Sequence, residues 1–281
     1  MNILTFDIEE WFHLLEYCGT RSEKQWDNFE VRIHENVERI LDVLDRTNTK
    51  ATFFVIGWIA KRYPELVKKI SEKYEIGSHT MAHQLIWELN RETFKQDIDS
   101  SIKQLQDITG KPVKYFRAPG FSISEQNSWA FEVLHDSGIE IDCSIFPAKH
   151  AHGGMPGFTE EGPCIIEHNG KRIKELPMNY VNIFGKPIMF SGGGYFRFFP
   201  YWLIKYWTKK KDYNIAYMHP RDFDANQPVL EKLSLARQFK SYTGLKGAEA
   251  KLEKYLTDFN FIDIEAAKKQ IDWEKVPIIK L

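Results

Sequence analysis

Residues 50–83 read KATFFVIGWIAKRYPELVKKISEKYEIGSHTMAH. Lys50–Ile56 is short, apolar and rich in β-branched and aromatic side chains, which predicts a buried strand. Tyr63–Lys73 follows as a helix, with Pro64 near its start, where a missing N–H costs little. Tyr74–Ile76 is a second short strand, closed by Gly77. Strand, helix and strand in this order point to parallel strands joined by helices.

The same alternation extends in both directions. Upstream, Asn2–Phe6 reads as a buried strand and Val31–Thr47 as a helix, with Ile33, Val37, Ile40, Leu41 and Leu44 on one face. Downstream, the helix Glu92–Thr109 is ended by Gly110, the strand Val113–Phe116 follows, and the helix Ser128–Asp136 leads to the strand Ile139–Ile141. Pro147–Gly162 is a Gly/Pro-rich loop. Arg172–Leu176 and Asn214–Met218 are further strands, and Leu230–Phe239 and Ala248–Phe259 are closing helices. With about seven strands and no linker-like break, residues 1–281 are expected to form a single α/β domain, a distorted (β/α) barrel of parallel strands.

Composition narrows the function. The 38 basic and 39 acidic residues nearly cancel, which leaves no positive field for nucleic acid. Cys18, Cys143 and Cys164 are scattered and odd in number, so a reducing compartment is expected rather than a disulfide framework. The N-terminus lacks a basic segment and turns acidic at Asp7, unlike a signal peptide. No run approaches the length of a membrane-spanning helix. The expected location is the cytoplasm. The sequence carries no signal for oligomeric state.

Position marks the candidate site. Asp7 and Glu9, His79 and His83, Arg117, Asp142 and His219 each follow a predicted strand. In α/β barrels these strand ends face one mouth, where catalytic groups collect. Two imidazoles and a carboxylate can hold a divalent ion, and a catalytic zinc keeps a fourth position open for water. His79 and His83 share a face if their segment turns into a helix. Asp7 and Glu9 point to the same side of an extended strand. Glu10 points away and is structural. Taken singly, each motif also has a plain explanation: a solvated acidic loop, a turn with a surface arginine, or a satisfied structural histidine.

Together, DIEEWF, SHTMAH, FRAPGFS, IDCSIFPAKH, GGGYFRFFPY and MHPRDFD resemble the polysaccharide deacetylases, the NodB-like carbohydrate esterase family 4. More narrowly, they resemble the subgroup that accompanies bacterial exopolysaccharide and O-antigen biosynthesis. The resemblance implies a divalent metal, zinc first with cobalt, nickel, manganese or iron as options. It implies hydrolysis of the linear amide of an N-acetylated saccharide. Asp7 matches the general base, His79 and His83 the metal-binding pair, and Arg117 the arginine that orients the base. Gly120 matches the oxyanion-binding backbone, Asp142 the carboxylate that orients the catalytic histidine, and His219 the general acid. Ile8 replaces the aspartate adjacent to the base, so the third ligand moves to Glu9. The fourth motif lacks the family's nearby tryptophan.

Tyr195, Arg197 and His150 are candidates to contact sugar. Phe198–Lys211 is either a helix packed on the barrel with a solvated basic end or a contact with a membrane surface, at its inner face for a cytoplasmic protein. Two other functions share the motifs: a NodB-like cyclic ureide hydrolase, and an inactive saccharide-binding subunit.

Overall fold

The computed structural model describes residues 1–15, 17–20, 23–149, 151–230 and 233–281. In chain order the strands are β1 (Asn2–Ile8), β2 (Thr52–Val55), β3 (Glu75–Ser78), β4 (Tyr115–Phe116), β5 (Ile141–Asp142), β6 (Cys164–His168), β7 (Lys171–Glu175), β8 (Val181–Ile183), β9 (Lys186–Ile188), β10 (Asn214–Met218) and β11 (Ile278–Lys280). The chain gathers into two compact units, residues 1–51 with 180–263 and residues 52–179 with 264–281.

In the first unit β1 and β10 pair in parallel, from Asn2 opposite Asn214 to Phe6 opposite Met218. Both faces of β1 are buried: Leu4 and Phe6 on one side, Ile3 on the other. Burial on both faces explains why its sequence is a continuous apolar run rather than an alternating one. The helix Ile33–Thr47 buries the face expected from its spacing, Ile33, Val37, Ile40, Leu41 and Leu44. β8 and β9 form a small antiparallel hairpin.

In the second unit β2, β3, β4, β5 and β7 pair successively in parallel. β6 lies antiparallel to β7, and β11 parallel to β6. Pro64 occupies the first turn of the Pro64–Lys73 helix. Gly110 ends Arg91–Thr109 in the left-handed region.

All seven predicted strands and the helices between them are present, so the α/β class holds. The hairpins were not anticipated, although Asn169-Gly170 between β6 and β7 carries the turn signature: both residues have positive φ, as a two-residue hairpin requires. No helix of the described residues is long and apolar enough to cross a membrane.

Gly77 admits β3 between its neighbours. A Cβ there would lie 2.6 Å from the Phe54 ring and 3.0 Å from the Tyr115 carbonyl. Gly77→Ala is expected to destabilise the protein by about 1–3 kcal/mol, read as a lower urea midpoint with an unchanged slope.

Candidate active site

In the first unit, the β1–β10 register delivers Asp7 and His219 side by side, one residue beyond the Phe6–Met218 pair. His219 Nε2 lies 3.9 Å from Asp7 Oδ2 and 3.8 Å from Glu9 Oε1. On the other side of the ring, Nδ1 lies 3.2 Å from Asp222 Oδ2, which also accepts the His219 backbone N–H at 2.9 Å. Arg197 Nε donates to the second oxygen, Asp222 Oδ1, at 3.0 Å. Arg197 is itself spent on the fold: its remaining nitrogens donate to the carbonyls of Thr243 and Lys240.

These contacts set the charge of the histidine. Burial works against a charged imidazole, yet Glu9, Asp222 and Asp7 outweigh it and raise the His219 pKa to about 9. Burial likewise opposes the Asp222 charge, but Arg197 and His219 hold its carboxyl well below the usual range. These contacts favour the charged imidazole, the form a general acid would need.

Two expectations change here. Asp142 was expected to orient His219; the carboxylate on Nδ1 is Asp222. His219-Pro-Arg-Asp222 closes a tight turn in which the fourth residue reaches back to the first, a spacing visible in the sequence. Arg197 was expected to contact sugar; it is buried and braces Asp222 instead.

Glu10 is structural, as expected. Its Oε1 accepts the N–H groups of Arg32 and Ile33 and so caps the helix Ile33–Thr47 from outside. Burial lifts its carboxyl to about 7 against the pull of those bonds.

In the second unit, His79 Nδ1 donates to the Arg117 carbonyl at 2.7 Å. A carbonyl only accepts, so this bond fixes the tautomer and leaves the Nε2 lone pair available to a metal. The His79 and His83 rings lie 5.2 Å apart. They meet on a loop, not on one helix face: Thr80 and His83 have positive φ. The loop is held where the carbonyls of Thr80 and Met81 accept the N–H groups of Gly57 and Trp58.

Arg117 is fully buried, with its guanidinium 4.4 Å from the Phe54 ring centroid and its Nε donating to the Cys143 carbonyl. Gly120 sits in the left-handed region within the turn Pro119–Phe121. Asp142 and Glu175 are register partners on β5 and β7 and are both fully buried. Burial raises both carboxyls, and the Asp142 charge pushes Glu175 up further. Ser144 donates to Asp142 through both its hydroxyl and its backbone N–H. The sequence did not single out Glu175. Tyr195, in the first unit, lies beside the Phe199 ring and the Lys240 ammonium. His150 lies outside the described residues.

The donor set suits a divalent ion. The expected ligands come from both units: Glu9 from the first, His79 and His83 from the second.

A family model described as polysaccharide deacetylase matches residues 19–140, and one described as a domain of unknown function (DUF3473) matches 143–269. A chitooligosaccharide deacetylase from Azorhizobium caulinodans is 31% identical over 149 residues, 50% of this chain and 70% of the relative. The chain belongs to the polysaccharide deacetylase family.

A peptidoglycan-N-acetylglucosamine deacetylase from Bacillus cereus is 30% identical over 141 residues, 48% of this chain and 51% of the relative. The curated relatives first matched are spanned over about half to two thirds of their length. Among solved structures, one assigned to the polysaccharide deacetylases of Mycobacterium smegmatis aligns over all of this chain and 92% of its own, with a TM-score of 0.66 at 16% identity. A 4-alpha-glucanotransferase from Thermococcus litoralis also aligns over all of this chain, with a TM-score of 0.62. The fold alone therefore does not assign the reaction. The deacetylase match holds His79, His83, Arg117 and Gly120. Asp7 and Glu9 precede it, and His219 and Asp222 fall in the second match.

The raised His219 pKa has a definite sign. Its contribution to stability is complete below the ordinary value near 6.5 and is lost as pH rises through about 9. In metal-free protein, Asp222→Asn is expected to lower the His219 pKa by at least about one unit, followed by NMR titration of the imidazole. The same change should flatten the fall in urea stability across that window. An unaltered titration would remove Asp222 from this role.

Proposed function

We propose that this chain is a divalent-metal-dependent N-deacetylase that releases acetate from an amino sugar. The substrate class is a bacterial surface polysaccharide or its lipid- or nucleotide-linked precursor, in keeping with the exopolysaccharide and O-antigen subgroup that the motifs resemble. The observation that carries this reading is the His219 imidazole set beside Asp7 and Glu9, with Asp222 behind it.

Glu9, His79 and His83 would hold the ion, with zinc the first choice. When bound, the ion supplies Lewis acidity to water and to the amide carbonyl. Asp7 removes a proton from the attacking water, and Arg117 orients that carboxylate. The Gly120 N–H donates to the developing oxyanion. His219 delivers its proton to the departing amine, which is a poor leaving group without it. Asp222 holds the imidazole charged and Arg197 holds Asp222. The buried Asp142–Glu175 pair supports the loop after β5. Tyr195 and His150 remain candidates for sugar contact.

The test is acetate release from a panel of N-acetylated nucleotide and lipid-linked sugars, with and without chelator. Turnover is expected only with metal and to return on adding zinc. Asp7→Asn and His219→Ala should each lower it by roughly 10²–10⁴-fold, with His219→Ala affecting kcat more than KM. Ring opening of cyclic ureides without acetate release, or saccharide binding with no turnover in the metal-loaded protein, would replace this assignment.

A further inference from the structure

Charge is distributed unevenly along the chain. From Leu176 to Lys211 there is no Asp or Glu, while Lys186, Arg197, Lys205, Lys209, Lys210 and Lys211 are present. From Leu233 to Ala248 there is again no acid, and Arg237, Lys240 and Lys246 are present. In a chain whose charges otherwise balance, carboxylates are excluded from these two stretches.

Both stretches expose large apolar side chains in the first unit. The helix Tyr201–Lys210 buries Ile204 and Thr208 and turns Trp202 and Tyr206 outward, 69% and 53% exposed and one turn apart. Lys209 and Lys210 continue that exposed face, and Lys210 Nζ lies 5.7 Å from the Tyr206 ring. Phe198, four residues before Trp202, is 48% exposed and packs edge-on at 5.0 Å against Phe239, which is 49% exposed. Phe239 belongs to the helix Leu235–Tyr242, whose Leu235 is 84% exposed one turn earlier. Lys205 is committed to Asp258 and takes no part. An ordinary solvated helix face carries mixed charges at these positions.

We propose that this face docks on an anionic lipid bilayer. Trp202 and Tyr206 are the side chains that settle at a membrane interface, because their rings are apolar and their edges polar. Phe198, Phe239 and Leu235 supply exposed apolar area. Lys209, Lys210 and Lys240 meet the lipid phosphates, and the absence of carboxylates removes the repulsion that would oppose contact. A protein partner would not require carboxylates to be excluded from two separate stretches, and a nucleic acid would not select Leu235. Docking would hold the protein where lipid-linked saccharides reside, but the geometry stands apart from the proposed chemistry.

The experiment is flotation of the full chain with vesicles of phosphatidylcholine, and of phosphatidylcholine with about one third phosphatidylglycerol. Recovery in the lipid fraction is expected to be at least about tenfold greater with the anionic vesicles and to fall with added salt. Trp202→Ser with Phe239→Ser should lower recovery at least about tenfold. Lys209→Gln with Lys210→Gln, both at exposed positions, should abolish the preference for anionic lipid. Circular dichroism melts check that the variants fold. Equal recovery with both vesicles, no recovery with either, or variants that float like the parent would overturn the proposal. So would a concentration-dependent dimer in solution that the aromatic variants dissolve. Binding is read without turnover, so neither result bears on acetate release.

Discussion

Hydrogen bonds in a parallel ladder make paired strands run the same way and end on the same side. In the first unit this constraint builds the cluster of Asp7 and His219. β1 and β10 are paired to Phe6 and Met218, so Asp7 and His219 leave the ladder together. A slip of one residue in either strand would turn that strand's side chain to the opposite face and part the two. The apolar runs on either side of the chemistry therefore do more than fill the core: they fix the register that sets a carboxylate beside an imidazole.

Ordering the cluster consumes polar groups that would otherwise be costly to bury. Asp222 satisfies both the backbone and the ring of His219, and Arg197 satisfies Asp222. Arg197 in turn is satisfied by two main-chain carbonyls. Each charge in the chain of contacts has a partner of opposite charge or a full set of acceptors, as buried ionic groups require. The second unit solves the same problem differently. Asp142 and Glu175 are buried together, and burial with the neighbouring Asp142 charge pushes the Glu175 carboxyl well above its usual range.

The histidine pair illustrates a limit of periodic reasoning. Spacing of four suggested a helical face, yet His79 and His83 meet on a loop with two non-glycine residues at positive φ. Such a backbone is costly unless held. Here the N–H groups of the helix Gly57–Arg62 bind the loop carbonyls, and the Arg117 carbonyl fixes the His79 ring. Those are contacts between segments distant in sequence, invisible to any pattern within seven residues.

The sequence by itself determined the α/β class, the seven parallel strands, the buried face of the helix Ile33–Thr47 and the set of residues standing at strand ends, because periodicity, turn residues and motif order are local properties. It also marked Glu10 as structural. Only the tertiary structure decided which carboxylate serves His219, that Arg197 braces it instead of meeting sugar, and that Asp142 is paired with Glu175. The reason is physical. Partner choice among buried charges depends on distance, burial and competing hydrogen bonds, and these exist only once separate strands and loops have been brought together.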